Sequence, residues 1–417
     1  MKNVAGYRAR AAIAVAGGAV ALLAASCSSS AKSSTSSTTA KVAASPTTAA
    51  VATGAPYNIA FIGDLTGGNG QNGQPTIAAA EGAAYQINNH GGVNGHPLKI
   101  SVVQDSQSTV AGAETAARTG LGSSVTFATG GMGGSQVAAT ASIFTAAGIP
   151  YIGTSYPVDA LINQPTWFTL APTGSQVAAG AVNGIKALLG GSLTGKTIGF
   201  EGLAVPTVDN NLAAIKALVE KNGGKMGPVI RDPLTFSSWS SQAANVASAH
   251  VDGFIVNHAE SATAIIAKAL GVAGVKGPIV STEGASSDTL FQSISAANFY
   301  AVRETSESAT APGTAPAQAA SAAGNGSASP LNPYFGREWG VIYVAAAALA
   351  KCGFPCSPSG FATSLEGLGD FTAPNDVYLG PINFSSKNHA GLTTAQVYSW
   401  SVADSKAVPS GSPFPLN

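Results

Sequence analysis

Charge is what this chain has least of. Of its 417 residues only 10% are Asp, Glu, Lys or Arg, against about a quarter in ordinary domains. The 20 basic and 20 acidic side chains cancel to a formal net charge of +0. A surface this neutral offers no electrostatic footprint to nucleic acid or to anionic lipid. Histidine is scarce too: five are scattered over the chain without an HExxH pair. No GxSxG elbow and no Ser–His–Asp pattern stands out either, so catalysis is not indicated. Cysteine numbers three. The pair Cys352 and Cys356 in KCGFPCS would need two more ligands to hold a metal, and none is evident. Gly353, Pro355 and an oxidising compartment favour a short structural disulfide after a helix. His258 and Glu260 with Cys356 do not make a zinc deaminase, whose motif needs PCxxC where this chain has CxxxC. No metal and no cofactor is implied. Glycine is abundant, at 50 residues, but without the G-x-y period of a triple helix.

Long apolar runs are missing as well, with one short exception at the start. Lys2, Arg8 and Arg10 precede an uncharged stretch from Ala11 to Ala25, shorter than the roughly 20 residues of a spanning helix. This pattern predicts a secretory signal over residues 1–26. The junction Leu23-Ala24-Ala25-Ser26-Cys27 resembles a bacterial lipobox, in which the cysteine is lipidated and becomes the new N-terminus. Ala24 stands where Leu is usual, and an ordinary cleaved signal with an incidental Cys27 is the competing reading. Residues 27–56 are mostly Ser, Thr and Ala, too polar to fold, and read as a tether. The body that follows is expected outside the cytoplasm, joined to the membrane only through the lipid.

Two glycine motifs test whether that body binds a nucleotide. GGSLTGKT, Gly190 to Thr197, spells a phosphate loop, yet a helical pattern (Ser175 to Leu189) precedes it and an apolar strand (TIGFEGL) follows. A phosphate cradle needs the reverse order, strand then helix, so this is a helix cap. GNGQNG, Gly68 to Gly73, follows a strand. However, Asp64, Leu65 and Thr66 intervene, and the acidic residue Asp105 comes too late for a dinucleotide site. Asp105 is expected to cap a strand end.

From Tyr57 onward apolar runs alternate with helical patterns: YNIAFIGDL, Pro75 to Asn88, HPLKISVVQD, Val110 to Leu121, VTFATGG, Gln136 to Ala147, IPYIGTS. After Pro172 a second series runs through TIGFEGL, PVIRDPL, GFIVN and PIVSTEG with helices between. Alternation of this kind argues for parallel sheets with right-handed crossovers. The fold class is therefore α/β, two doubly wound parallel-sheet lobes. The stretch from Glu307 to Pro330, low in bulky apolar residues, is expected to be a mobile surface loop. In open α/β sheets ligands gather at the carboxyl ends of strands. That rule selects Thr66 to Gly73, Gly130 to Gln136, Gly153 to Tyr156, Asn257 to Glu260 and Thr282 to Ser287. In the second loop Ser135 can cap a helix whose free N–H groups attract a carboxylate. Thr154, Ser155 and Tyr156 offer hydroxyls and an aromatic platform. Glu283, a carboxylate at the end of an apolar strand, could receive an ammonium group.

IAFIGDLTGGNGQNGQPTIAAAEGAAYQINNHGGVNGHPLKISVVQD, GIPYIGTS, IVSTEGASSDTL and LGPINF together resemble the type I periplasmic binding proteins of ABC transporters, in the leucine/isoleucine/valine branch. The resemblance covers about Tyr57 to Val402. It implies two lobes joined by three crossings near Thr173, Val302 and Leu379, so that residues 57–173 and 303–378 make one lobe and 174–302 and 379–417 the other. It implies an amino acid or related small molecule captured between the lobes and handed to an ABC permease with its ATPase subunits, without enzymatic activity. The family's carboxylate-binding serine loop maps on Gly134 and Ser135, its hydroxyl loop on Thr154, Ser155 and Tyr156, and its ammonium-binding glutamate on Glu283. Its first-loop aromatic contact maps on Asn72, the tyrosine before the second-lobe helix falls near Val208, and its aromatic pair becomes His258, Ala259 and Glu260. The side-chain pocket is thus rebuilt. A ligand-sensing module for a signalling partner is the alternative.

Overall fold

The computed structural model describes residues 51–416, apart from 123, 156, 295–297, 307–313, 326–331 and 375–376. The signal, Cys27 and most of the tether lie outside the described residues, as does Tyr156. The described residues fall within one unit, residues 48–417.

The first lobe is built as β1 (Tyr57–Gly63), α1 (Gly70–Asn89), β2 (Leu98–Asp105), α2 (Val110–Gly120), β3 (Phe127–Gly130), α3 (Gly134–Ala147), β4 (Tyr151–Gly153) and β5 (Trp167–Thr169). Its five strands are all parallel, in the order β2-β1-β3-β4-β5. The second lobe follows with α4 (Gly174–Leu188), β6 (Thr197–Leu203), α5 (Pro206–Lys221), β7 (Lys225–Asp232), α6 (Ser240–Ser248), β8 (Gly253–Asn257), α7 (Glu260–Val272), β9 (Ile279–Ser281), α8 (Asp288–Ile294) and β10 (Phe299–Arg303). The chain then returns to the first lobe for α9 (Thr314–Asn325), α10 (Pro333–Cys352) and α11 (Pro358–Glu366). It ends on β11 (Thr394–Ser401), β12 (Lys406–Pro409) and β13 (Phe414–Pro415), which extend the second sheet. That sheet runs β12-β11-β10-β9-β8-β6-β7, parallel from β7 to β10 and antiparallel beyond, with β13 paired to β11.

Successive strand residues point to opposite faces, and both faces of the central strands are covered, while the edge strands β2 and β7 leave side chains exposed. Tyr57, Ile59 and Phe61 enter one core with α1, α10 and α11, while Ala60 and Ile62 enter another with Phe144 and Trp167. In the second lobe Phe254 and Val256 face Trp239 and Phe291, and Ile255 faces Ile185 and Phe200. The chain passes between lobes three times, and the third passage falls beyond the expected Leu379, because Ile382 and Phe384 still enter the first lobe's core and Ala390 pairs with Thr169. Leu379 N–H donates to the Glu304 carbonyl at 3.0 Å, and Gly391 N–H to the Thr169 carbonyl at 2.9 Å.

Both glycine motifs are structural. Gly190 and Gly191 adopt left-handed φ of 84° and 87° and close α4, and Lys196 pairs with Asp252 at 3.1 Å at the amino end of β6. Gly73 lies so close to the Asp64 carbonyl that a Cβ there would come within 1.8 Å. The expected loop between Glu307 and Pro330 is corrected in part, because α9 occupies its middle and packs on α1. Small residues make that contact. A Cβ on Gly82 would sit 2.6 Å from the Ser321 Cα, and one on Gly324 2.8 Å from the Glu81 carbonyl. Composition poor in bulky side chains here serves close helix approach. Cys352 and Cys356 form a disulfide at the end of α10, and Phe354 between them stacks on His96 at 3.8 Å.

Candidate functional site

The carboxyl edge of the first sheet is organised by one buried acid, Asp64, which is 2% exposed. It accepts from Gln136 Nε2 at 2.7 Å, Asn69 Nδ2 at 3.0 Å, Ser108 N–H at 3.2 Å and the Ser106 hydroxyl. The loops after β1, β2 and β3 are thereby tied to one carboxylate. Gln136 also turns its Oε1 back to the Gly133 N–H, closing the start of α3. Gly134 and Ser135 form the first turn of that helix, with Ser135 exposed. Asp105 caps the neighbouring loop. Burial acts to raise its pKa, but hydrogen bonds from the Thr66 hydroxyl and from Gln107, Thr66 and Leu65 N–H outweigh that and hold it below the ordinary carboxylate range.

Thr154 and Ser155 leave β4 directly beneath this loop. Thr154 donates from both N–H and hydroxyl to the Gly130 carbonyl, at 3.1 and 3.2 Å, and the Ser155 hydroxyl points to the Met132 carbonyl at 3.4 Å. A Cβ on Gly131 would meet the Ser155 hydroxyl at 2.7 Å, so the serine loop and the hydroxyl loop are packed together. Asn72 sits half-buried in the first turn of α1, which begins at Gly70, ahead of the expected Pro75, and its carbonyl accepts from the Thr76 hydroxyl.

On the second lobe Glu283 follows β9 and its side chain is 16% exposed. The loop that carries it is pinned from two sides: Arg303 Nε donates to the Ser286 carbonyl at 2.8 Å, and Glu260 accepts from Ser287 N–H at 3.0 Å. Burial pushes Glu283 up to about 7, Arg337 opposes the rise and Glu304 adds to it. Arg337, on α10, reaches across to all of these groups. Its Nε donates to Glu304 at 2.6 Å and Nη2 also meets Glu304, Nη1 donates to the Thr154 carbonyl at 3.3 Å, and Nη2 lies 3.9 Å from Glu283. Burial alone would weaken its charge, but Glu304 and Glu283 hold the guanidinium protonated well above its ordinary value. One side chain thus connects the hydroxyl loop of the first lobe, the crossing at Glu304 and the carboxylate of the second.

His258 does not join this group. Its Nδ1 accepts from Ala259 N–H at 2.8 Å, which leaves Nε2 as the donor to the Pro233 carbonyl at 3.0 Å. Burial lowers its pKa, against the Pro233 carbonyl and Asp232. The ring is a neutral imidazole turned inward beside Phe236 and the buried Glu201, with no nitrogen left for a solute. Position at a strand's carboxyl edge made His258 a candidate, and side-chain direction removes it. Val208, where the tyrosine is expected, is buried in the second lobe's core.

Sequence reasoning missed Arg337, Glu304 and Glu338. The available signal was an Arg–Glu pair inside the apolar helix PYFGREWGVIYV of a chain so poor in charge.

A profile described as periplasmic binding protein matches residues 56–407. No curated protein sequence matches. Among solved structures, the branched-chain amino acid transporter substrate-binding protein LivJ from Streptococcus pneumoniae, in complex with isoleucine, is similar with TM-score 0.69 at 19% identity, over 86% of this chain and 99% of that one. An ABC transporter substrate-binding protein from Sphaerobacter thermophilus reaches 0.73 at 18% identity, over 86% and 98%. A fatty acid ABC transporter substrate-binding protein from Thermomonospora curvata reaches 0.71 at 18% identity, over 88% and 94%. At these identities the likeness is one of fold.

Proposed function

Since this chain belongs to the periplasmic binding protein family, with two α/β lobes of the type I fold, we propose that it captures a small solute carrying a carboxylate and an ammonium group. An amino acid, branched-chain or other, fits that description. The observation that carries the reading is Glu283. Its partly exposed carboxyl is met only by its own backbone N–H and, at 3.9 Å, by a guanidinium already engaged by Glu304. Among the described residues its cation, Arg337, is shared with a second and closer acid.

In this reading the solute's carboxylate lies at the start of α3, where the Ser135 hydroxyl and unpaired N–H groups of the first turn face it. Thr154 and Ser155 border it from below. The second lobe then closes to bring Glu283 onto the amine, and the strength of closure equals the solute's preference for the closed state. The loaded protein, held outside the membrane by lipidated Cys27, delivers the solute to an ABC permease.

The test is a thermal-stabilisation screen against amino acids, amides, aromatic acids, fatty acids, sugars and nucleotides. A ligand at a hundred times its Kd adds about 2.7 kcal/mol to stability. Amino-acid hits are expected, and Glu283→Ala is expected to abolish them while circular dichroism stays unchanged. Hits confined to compounds without an amine would overturn the assignment of Glu283.

A further inference from the structure

Two glutamates share one arginine where the lobes meet. Glu304 lies in the second crossing and is 2% exposed; Glu283 follows β9 and is partly exposed; Arg337, also 2% exposed, reaches both. The guanidinium is held in place by the Thr154 carbonyl, by the face of Tyr334 at 5.4 Å, and by its own helix, whose Arg337 carbonyl accepts from the Tyr378 hydroxyl at 3.2 Å. With both acids ionised the three groups carry one excess negative charge.

We infer that Arg337 is a positioning residue for solute capture: by dividing its charge between Glu304 and Glu283 while tied to the hydroxyl loop, it sets how readily Glu283 takes up a cation. This rests on the reading of Glu283 given above. The groups that face the pair are Glu304 from the crossing, Tyr334 from α10 itself and Tyr378 from the segment after α11. Glu338, next in sequence, is turned toward Thr129 instead. Removing Arg337 leaves Glu283 beside a second carboxylate with no cation. Removing the charge of Glu304 gives Glu283 the whole guanidinium. The two changes therefore act in opposite directions, which a merely structural role would not produce.

The experiment titrates Glu283 in the ligand-free full chain by carbon NMR on glutamate labelled at the carboxyl, its signal assigned by loss in Glu283→Gln. In Arg337→Gln the midpoint is expected to rise by about one to three pH units, the range over which a neighbouring arginine shifts a carboxylate. In Glu304→Gln it is expected to fall by about one unit, and Arg337→Lys is expected to keep it near the wild-type value. Should Arg337→Gln fail to fold, Glu304→Gln and the double variant Glu304→Gln/Arg337→Gln carry the test, the double variant lying above Glu304→Gln alone. Midpoints unmoved in folded variants would overturn the inference. Because no ligand is used, that result is distinct from a screen that finds no amine. Where an amine solute binds, it competes with the proton on Glu283, so its affinity should fall as pH drops below the midpoint of each protein.

Discussion

Replacing Glu338 by Gln should flatten part of the dependence of stability on pH. Glu338 is fully buried on α10 against β3. Thr129 has one hydroxyl proton, and the Ile152 carbonyl lies 3.0 Å from its oxygen. Both carboxyl oxygens of Glu338 stand at 2.9 and 3.0 Å from that same hydroxyl. If Thr129 donates to Ile152, the proton between Thr129 and Glu338 belongs to the acid. This agrees with burial pushing Glu338 up to about 8 despite the hydrogen bond to Thr129, which acts to lower it. An unfolded glutamate ionises near 4.3. Between that value and about 8 the native state therefore holds a proton that the unfolded chain has released, and rising pH favours unfolding. The slope is about 1.4 kcal/mol per pH unit, or about 4 kcal/mol from pH 5 to pH 8. A Gln side chain needs no proton, and its amide can donate to the Thr129 oxygen in the acid's place. Urea unfolding of both proteins at each pH from 5 to 8 reads the effect. Glu201 and Glu283, raised to about 8 and about 7 chiefly by burial, add slopes of their own. Those slopes are common to wild type and variant, so the difference between the two curves isolates Glu338. If the lobes unfold in separate transitions, the difference belongs to the one that holds Thr129. Parallel curves would refute the argument.

Gly82→Val should cost roughly 1–3 kcal/mol by overpacking, because its Cβ would sit 2.6 Å from the Ser321 backbone. Hydrogen exchange should show α9 losing protection first, and unchanged exchange there would refute the packing account. Cys352→Ser opens a loop with a sequence separation of only 4, so chain entropy assigns it about 2 kcal/mol, less than a long-range bridge. Denaturant midpoints check the size, and a loss well above that would mean that the stack of Phe354 on His96 depends on the bridge.

The alternation of strands and helices was legible because the central strands are buried on both faces, so they announce themselves as apolar runs such as GFIVN and the helices as periodic ones. Gly190 to Thr197 could be refused as a phosphate loop on the same ground, from the order of elements around it. Three kinds of feature escaped. The strand Trp167–Thr169 is too short for any period to show. The helix Thr314–Asn325 buries Ala317 and Ser321, and a small-residue interface has the composition of a polar linker when read without its partner Gly82. The third kind lies in the site itself. Glu283 could be picked out alone, as a carboxylate ending an apolar strand, but its pKa depends on Glu304 and Arg337, which stand 33 residues apart on a crossing and a returning helix. Periodicity shows which residues share a face of one element. It says nothing about two glutamates from one lobe and its crossing meeting an arginine supplied by the other, the meeting on which the proposed role of Glu283 rests.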